Sequence, residues 1–181
     1  MTLTNVISTV PRARALWDSV NLHGITGAQP GDIIAYYLND GVYAVPSITY
    51  VENLFPPTRY RLAAIDTRGN RADWARILDV ETGLVQPGMC EQWLQDFEQD
   101  NPAYEGGGRG EIYCNRSTIK AIRAGTGRYV LGRDYYLWVA TGDGSLYTGP
   151  GINACQNYWG RLYDKSAVFD PRWLPGVGSA S

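Results

Sequence analysis

Histidine is almost absent from this 181-residue chain, with His23 its single example. A His-rich metal site is therefore excluded and Ser-His hydrolysis is disfavoured. Cysteine is scarce as well: Cys90, Cys114 and Cys155 stand far apart with no CxxC spacing. An odd count without a leader argues for free, mostly buried thiols. Lysine occurs only at Lys120 and Lys165, the other cations being arginine; this reads as coding bias and not as phosphate binding. The net charge of -2 gives no electrostatic footprint for nucleic acid or an anionic membrane. No charged-then-apolar leader follows Met1, so no signal peptide is expected. Nor does any apolar run approach the roughly 20 residues that span a bilayer. Chemistry in this chain must draw on carboxylates, tyrosines or backbone.

Tyrosine and tryptophan are present in excess, with 13 Tyr and 6 Trp against 3 Phe. Both join a flat apolar face to a polar edge, which suits surfaces that meet sugars, peptides or proteins, although core packing also uses them. The most informative stretch is Arg76-Ile77-Leu78-Asp79-Val80-Glu81. It reads as a short strand that sets Asp79 and Glu81 on one face, roughly 6–7 Å apart at about 3.3 Å per residue. Two carboxyls at that separation can flank one scissile bond, one donating a proton and the other assisting. A solvated strand edge is the plainer reading of the same pattern. Gly83 and Pro87 follow, so the pair falls where the strand opens into a loop.

The length suits one domain. Residues 1–30 lack a clear period and read as an N-terminal arm, in which Val10 to Trp17 could start a short helix. Residues 31–177 form the domain proper, and 178–181 a tail. Strands are expected at Ile33–Leu38, Tyr60–Ile65, Ile77–Glu81, Ile112–Cys114, Tyr135–Ala140, Ile152–Gln156 and Ser166–Phe169. Helices are expected at Ser47–Leu54, from Pro87 through Phe97, and at Thr118–Ala124, with Asn115-Arg116-Ser117 as a capping cluster. Strands apolar throughout and separated by helices indicate a parallel sheet with both faces covered. Polar residues fall just after these strands: Asp40, Asp79 and Glu81, Asn115, Asp143, Gln156. In a barrel of βα units such positions converge on one rim.

Ile77-Leu78-Asp79-Val80-Glu81, Ile112-Tyr113-Cys114-Asn115, Tyr136-Leu137-Trp138-Val139-Ala140, Ala154-Cys155-Gln156-Asn157-Tyr158 and Tyr163-Asp164-Lys165-Ser166-Ala167-Val168 resemble successive strand ends of the family 25 glycoside hydrolases. These are peptidoglycan muramidases with a (β/α) TIM-type barrel. The chain looks most like the small domains of this kind in actinobacteria and their phages, which occur among lysis and minor tail proteins. The resemblance covers about residues 31–177. It implies Glu81 as general acid with a raised pKa, Asp79 as its ionised partner, and Asp164 as an acid that positions the sugar. Asp40 is an approximate match to the first-strand acid, although it also reads as a turn residue beside Gly41. Asp164 also reads as a helix cap or ion-pair member. Substrate contacts fall to Tyr36, Tyr113, Trp138, Gln156 and Tyr158, and no metal or cofactor is implied.

The segment between Ile65 and Ile77 is too brief for a helix and a further strand, so a shortened barrel of about seven strands is expected. Two functions follow from the resemblance. One is a phage-type hydrolase acting on the glycan strands of bacterial peptidoglycan. The other is an inactive structural or wall-binding component of a virion, attached to other virion proteins by the N-terminal arm. Either would reside in the virion, or in the host cytoplasm before release to the wall.

Overall fold

The computed structural model describes residues 15–38, 44–101 and 109–169. Eight strands close into a barrel in chain order: β1 (Ala15–Asp18), β2 (Ile33–Tyr37), β3 (Arg61–Asp66), β4 (Ile77–Val80), β5 (Gly110–Asn115), β6 (Tyr135–Ala140), β7 (Ile152–Trp159) and β8 (Asp164–Val168). Neighbours from β1 to β7 run parallel, whereas β8 is antiparallel to both β7 and β1. Among the described residues there are three α-helices: α1 (Ile48–Leu54), α2 (Cys90–Asp100) and α3 (Ile119–Gly125). The fold is thus α/β and a closed barrel, but not the repeated (β/α) TIM-type arrangement expected from sequence. Loops or short turns join β1 to β2, β3 to β4 and β6 to β7, and a hairpin joins β7 to β8.

The count of about seven strands is corrected to eight, because the expected N-terminal arm supplies β1. Asp32, at the foot of β2, draws that segment into the sheet. Its carboxylate accepts from the Trp17 indole at 2.8 Å, the Ala15 N–H at 3.3 Å and the Gln29 N–H at 2.9 Å. As expected, the segment between Ile65 and Ile77 holds neither a helix nor a further strand. β3 and β4 pair directly, and the loop between them is wound on the Asp66 carboxylate, which accepts from the N–H groups of Arg68, Gly69 and Arg71. The other acceptor duty of Asp66 reaches α2, through the Trp93 indole at 3.1 Å.

Both faces of the strands are covered, which is why they read as continuous apolar runs. Leu16, Ile33, Ala35, Ala63, Ile65, Ile77, Trp138, Ala154 and Val168 pack together as the barrel interior. Outside it, Leu78, Val80, Ile112 and Val139 meet Cys90, Trp93, Leu94 and Phe97 of α2. That spacing along α2 is the three-and-four pattern of one buried helix face. A second outer layer joins Trp17, Ile34, Tyr36 and Ala64 to Val51 of α1 and to Phe55. Ser47 caps α1 by accepting from the Tyr50 N–H at 3.1 Å. All three cysteines are free and buried. Among the described residues no helix is long and apolar enough to cross a membrane.

Candidate functional site

Strand alternation decides what enters the barrel mouth. Along β4, Ile77 belongs to the interior cluster, so Asp79 two residues on faces the same way. Asp79 pairs in register with Tyr113 on β5, and Tyr113 with Trp138 on β6. The Tyr113 and Trp138 rings lie 4.5 Å apart, and the Trp138 indole donates to the Ser166 hydroxyl at 2.9 Å. These rings form the floor. Glu81 stands just past the end of β4, where Gly83 turns the chain with φ of 89° and the Leu84 N–H bonds the Glu81 carbonyl.

Four carboxyls share this mouth. Asp18 ends β1 and sits opposite Asp164 of β8 in the ladder. Asp164 opens its strand instead of ending it. It nevertheless reaches the mouth, because β8 runs against the other seven strands. Its carboxylate accepts from the Gln156 amide at 3.0 Å and the Gly160 N–H at 3.1 Å, which also shapes the β7–β8 hairpin. Glu81 accepts from the Asn115 amide at 3.2 Å and is hydrogen-bonded by Tyr113. Among the described residues, no ion pair neutralises Asp18, Glu81 or Asp164. Nor is any group of three His, Cys, Asp or Glu side chains arranged there to hold a metal ion.

Desolvation without a neutralising cation favours the protonated acids. Burial, then the charges of Asp164 and Glu81, push the Asp18 carboxyl up to about 8, against the opposing hydrogen bond from Tyr37. Burial raises Glu81 above its ordinary value; the Asn115 and Tyr113 hydrogen bonds oppose this and Asp164 adds to it. Asp164 is raised by burial and held back by Gly160 and Gln156. The Tyr37 and Tyr113 hydroxyls are raised by burial and then by the surrounding carboxylates, so both remain proton donors. The mouth therefore holds Asp18, which keeps a proton near neutrality, and two further acids raised above their ordinary values, beside hydroxyl and amide donors.

Of the residues singled out in the sequence, Asp79, Glu81, Asp164, Tyr113, Trp138 and Gln156 come together here. Asp40 lies outside the described residues. Tyr36 is not at the mouth: it is buried in the outer layer, and Tyr37 takes the inward position. One residue of phase makes that difference, and a strand apolar on both faces conceals its phase. Tyr158 is 49% exposed near the β7–β8 hairpin, its ring 5.8 Å from that of Tyr163. Asn115 makes no side-chain cap to the helical turn that follows; its amide is committed to Glu81.

Sequence reasoning missed Asp18 and Tyr37. Ala15-Leu16-Trp17-Asp18 is a short apolar run ending on an acid, as is Ile77-Leu78-Asp79. That signal was present but was hidden by reading Val10 to Trp17 as helical. Comparison of the chain with protein-family models, curated proteins and solved structures gave no significant match.

Proposed function

We propose that this chain hydrolyses the glycan strands of bacterial peptidoglycan in the manner of a muramidase, with Glu81 as general acid and Asp79 assisting. The observation that carries the reading is the state of Glu81. It is half-buried, raised above its ordinary value by that burial, and flanked by hydrogen-bond donors and by a further acid, Asp164. Desolvation of this kind favours the protonated form, the form that a general acid needs to protonate a glycosidic oxygen. As the bond from the anomeric carbon to that oxygen breaks, positive charge develops on the sugar, which neighbouring carboxylates stabilise. Water adds hydroxide to the anomeric carbon and its remaining proton restores Glu81. Asp18 supports the resemblance to family 25 glycoside hydrolases, since it supplies an acid at the end of the first barrel strand, where Asp40 was only an approximate match. The exposed Tyr158 offers a flat face to a sugar, and the partly buried Tyr113 is backed by the fully buried Trp138.

Glu81→Gln is expected to lower the release of reducing ends from purified cell walls by about 10²–10⁴-fold while thermal stability is unchanged. No new reducing ends from the wild-type protein, across several wall types, would sink the proposal. A second reading, a wall-binding or structural virion component without turnover, draws on the near-complete burial of Asp79 (3% exposed) and Asp18 (5% exposed). It requires that wild type and Glu81→Gln bind walls equally and that neither cleaves them.

A further inference from the structure

We propose that a basic groove beside the acidic mouth binds a phosphate group carried by a small polyol or sugar. The groove is a cavity of about 520 Å³ lined by Arg116, Ser117, Lys120, Arg123 and Tyr147, with Ile119 as an apolar wall. Arg116 lies in the helical turn Arg116–Thr118 that runs on into α3. Successive spacings of four and three residues set Arg116, Lys120 and Arg123 on one helical face. All three are exposed, and none forms an ion pair among the described residues. Three like charges on one face repel one another, a cost that an anion between them removes.

The chemistry of the lining selects the anion. Two guanidinium groups offer planar forks that match phosphate oxygens, Lys120 adds a compact charge, and Ser117 brings a hydroxyl. Convergence of three cations suits a doubly charged phosphate better than a single carboxylate. Arg116 is held from behind, its guanidinium 5.0 Å from the centre of the Tyr147 ring. The cavity exceeds the volume of a bare phosphate, and Tyr147 and Ile119 give the carbon skeleton something to lie against. The groove also adjoins the candidate site, since Arg116 follows Asn115, whose amide bonds Glu81. Groove binding does not depend on the hydrolase reading, because its test measures binding and not cleavage.

The test is a titration of the full chain with inorganic phosphate and with glycerol 3-phosphate, followed by amide NMR shifts. Saturable shifts confined to residues 116–124 and Tyr147 are expected. The double variant Lys120→Glu with Arg123→Glu should weaken binding by about tenfold or more at low salt, and Arg123→Gln should weaken it less. Unchanged melting of these exposed-site variants separates lost binding from lost folding. Tighter binding of glycerol 3-phosphate assigns the polyol-borne group; equal affinities assign the free anion to the same site. Shifts that never saturate, that spread to Arg128 and Arg133, or that persist in the double variant overturn the proposal. So does an oligonucleotide that occupies the groove while glycerol 3-phosphate does not.

Discussion

Asp18 and Glu81 face the same mouth, yet solvation and donors treat them differently, and each difference is measurable. In the folded chain Asp18 keeps its proton up to about 8, against an ordinary value of 3.8 when exposed. Between those values the unfolded chain has lost a proton that the folded chain retains. The Asp18 contribution to stability is therefore fully present below about pH 4, declines as pH rises, and levels off above about 8. Asp18→Asn should lack this decline, so its advantage over wild type in urea unfolding should grow from pH 4 to 8, by up to a few kcal/mol. Glu81 carries a second sign. Tyr113 stabilises the ionised form of Glu81 by hydrogen bonding, so Tyr113→Phe should raise the Glu81 pKa further. If the protonated acid is the active form, the alkaline limb of the kcat/KM profile moves to higher pH in that variant. Asp79 and Glu81 were legible at this scale because alternation and a following Gly83 mark a strand end. Tyr37 was not, because Ile33 to Tyr37 is apolar on both faces and carries no phase.

Elements were legible where their ends carry chemistry. Ser47 announces α1, and Pro87 opens the turn from which α2 continues. The loop between β3 and β4 showed a turn at Arg68-Gly69-Asn70 but was too short for a further unit; its order comes from one buried carboxylate. Asp66 satisfies three backbone N–H groups and the Trp93 indole together. Asp66→Ala should leave the buried Trp93 indole and three part-buried N–H groups without this acceptor and cost about 3 kcal/mol or more. Thermal unfolding would show the loss, and proteolysis should cut first within residues 67–76. Unchanged melting would mean that α2 holds its place without the Trp93 bond.

For the whole molecule, the decisive feature is the direction of β8, and sequence carries no direction: a covered strand reads alike whether parallel or antiparallel. Reversal brings the first residue of β8 to the rim that the other strands reach with their last, so Asp164 joins Asp18. Because β8 pairs with both β7 and β1, it closes the ring. Ala167 lies opposite Ala15 on one side and Cys155 on the other. Ala167→Pro removes an N–H from this strand and should cost about 3 kcal/mol or more. Soluble yield should fall as the edges of β1 and β7 become available to other chains. Native melting in this variant would rule out β8 as the closing strand.

The same pairing sets an order of events in synthesis. Asp18 emerges from the ribosome early and Asp164 late, and their strands meet across the longest loop the barrel must close. Strands β1 to β7 can associate as each emerges, but the Asp18 and Asp164 carboxyls are brought face to face, and Asp18 acquires its reason to hold a proton, only when residues 164–168 have been released. The acidic mouth is complete only once β8 has joined β1.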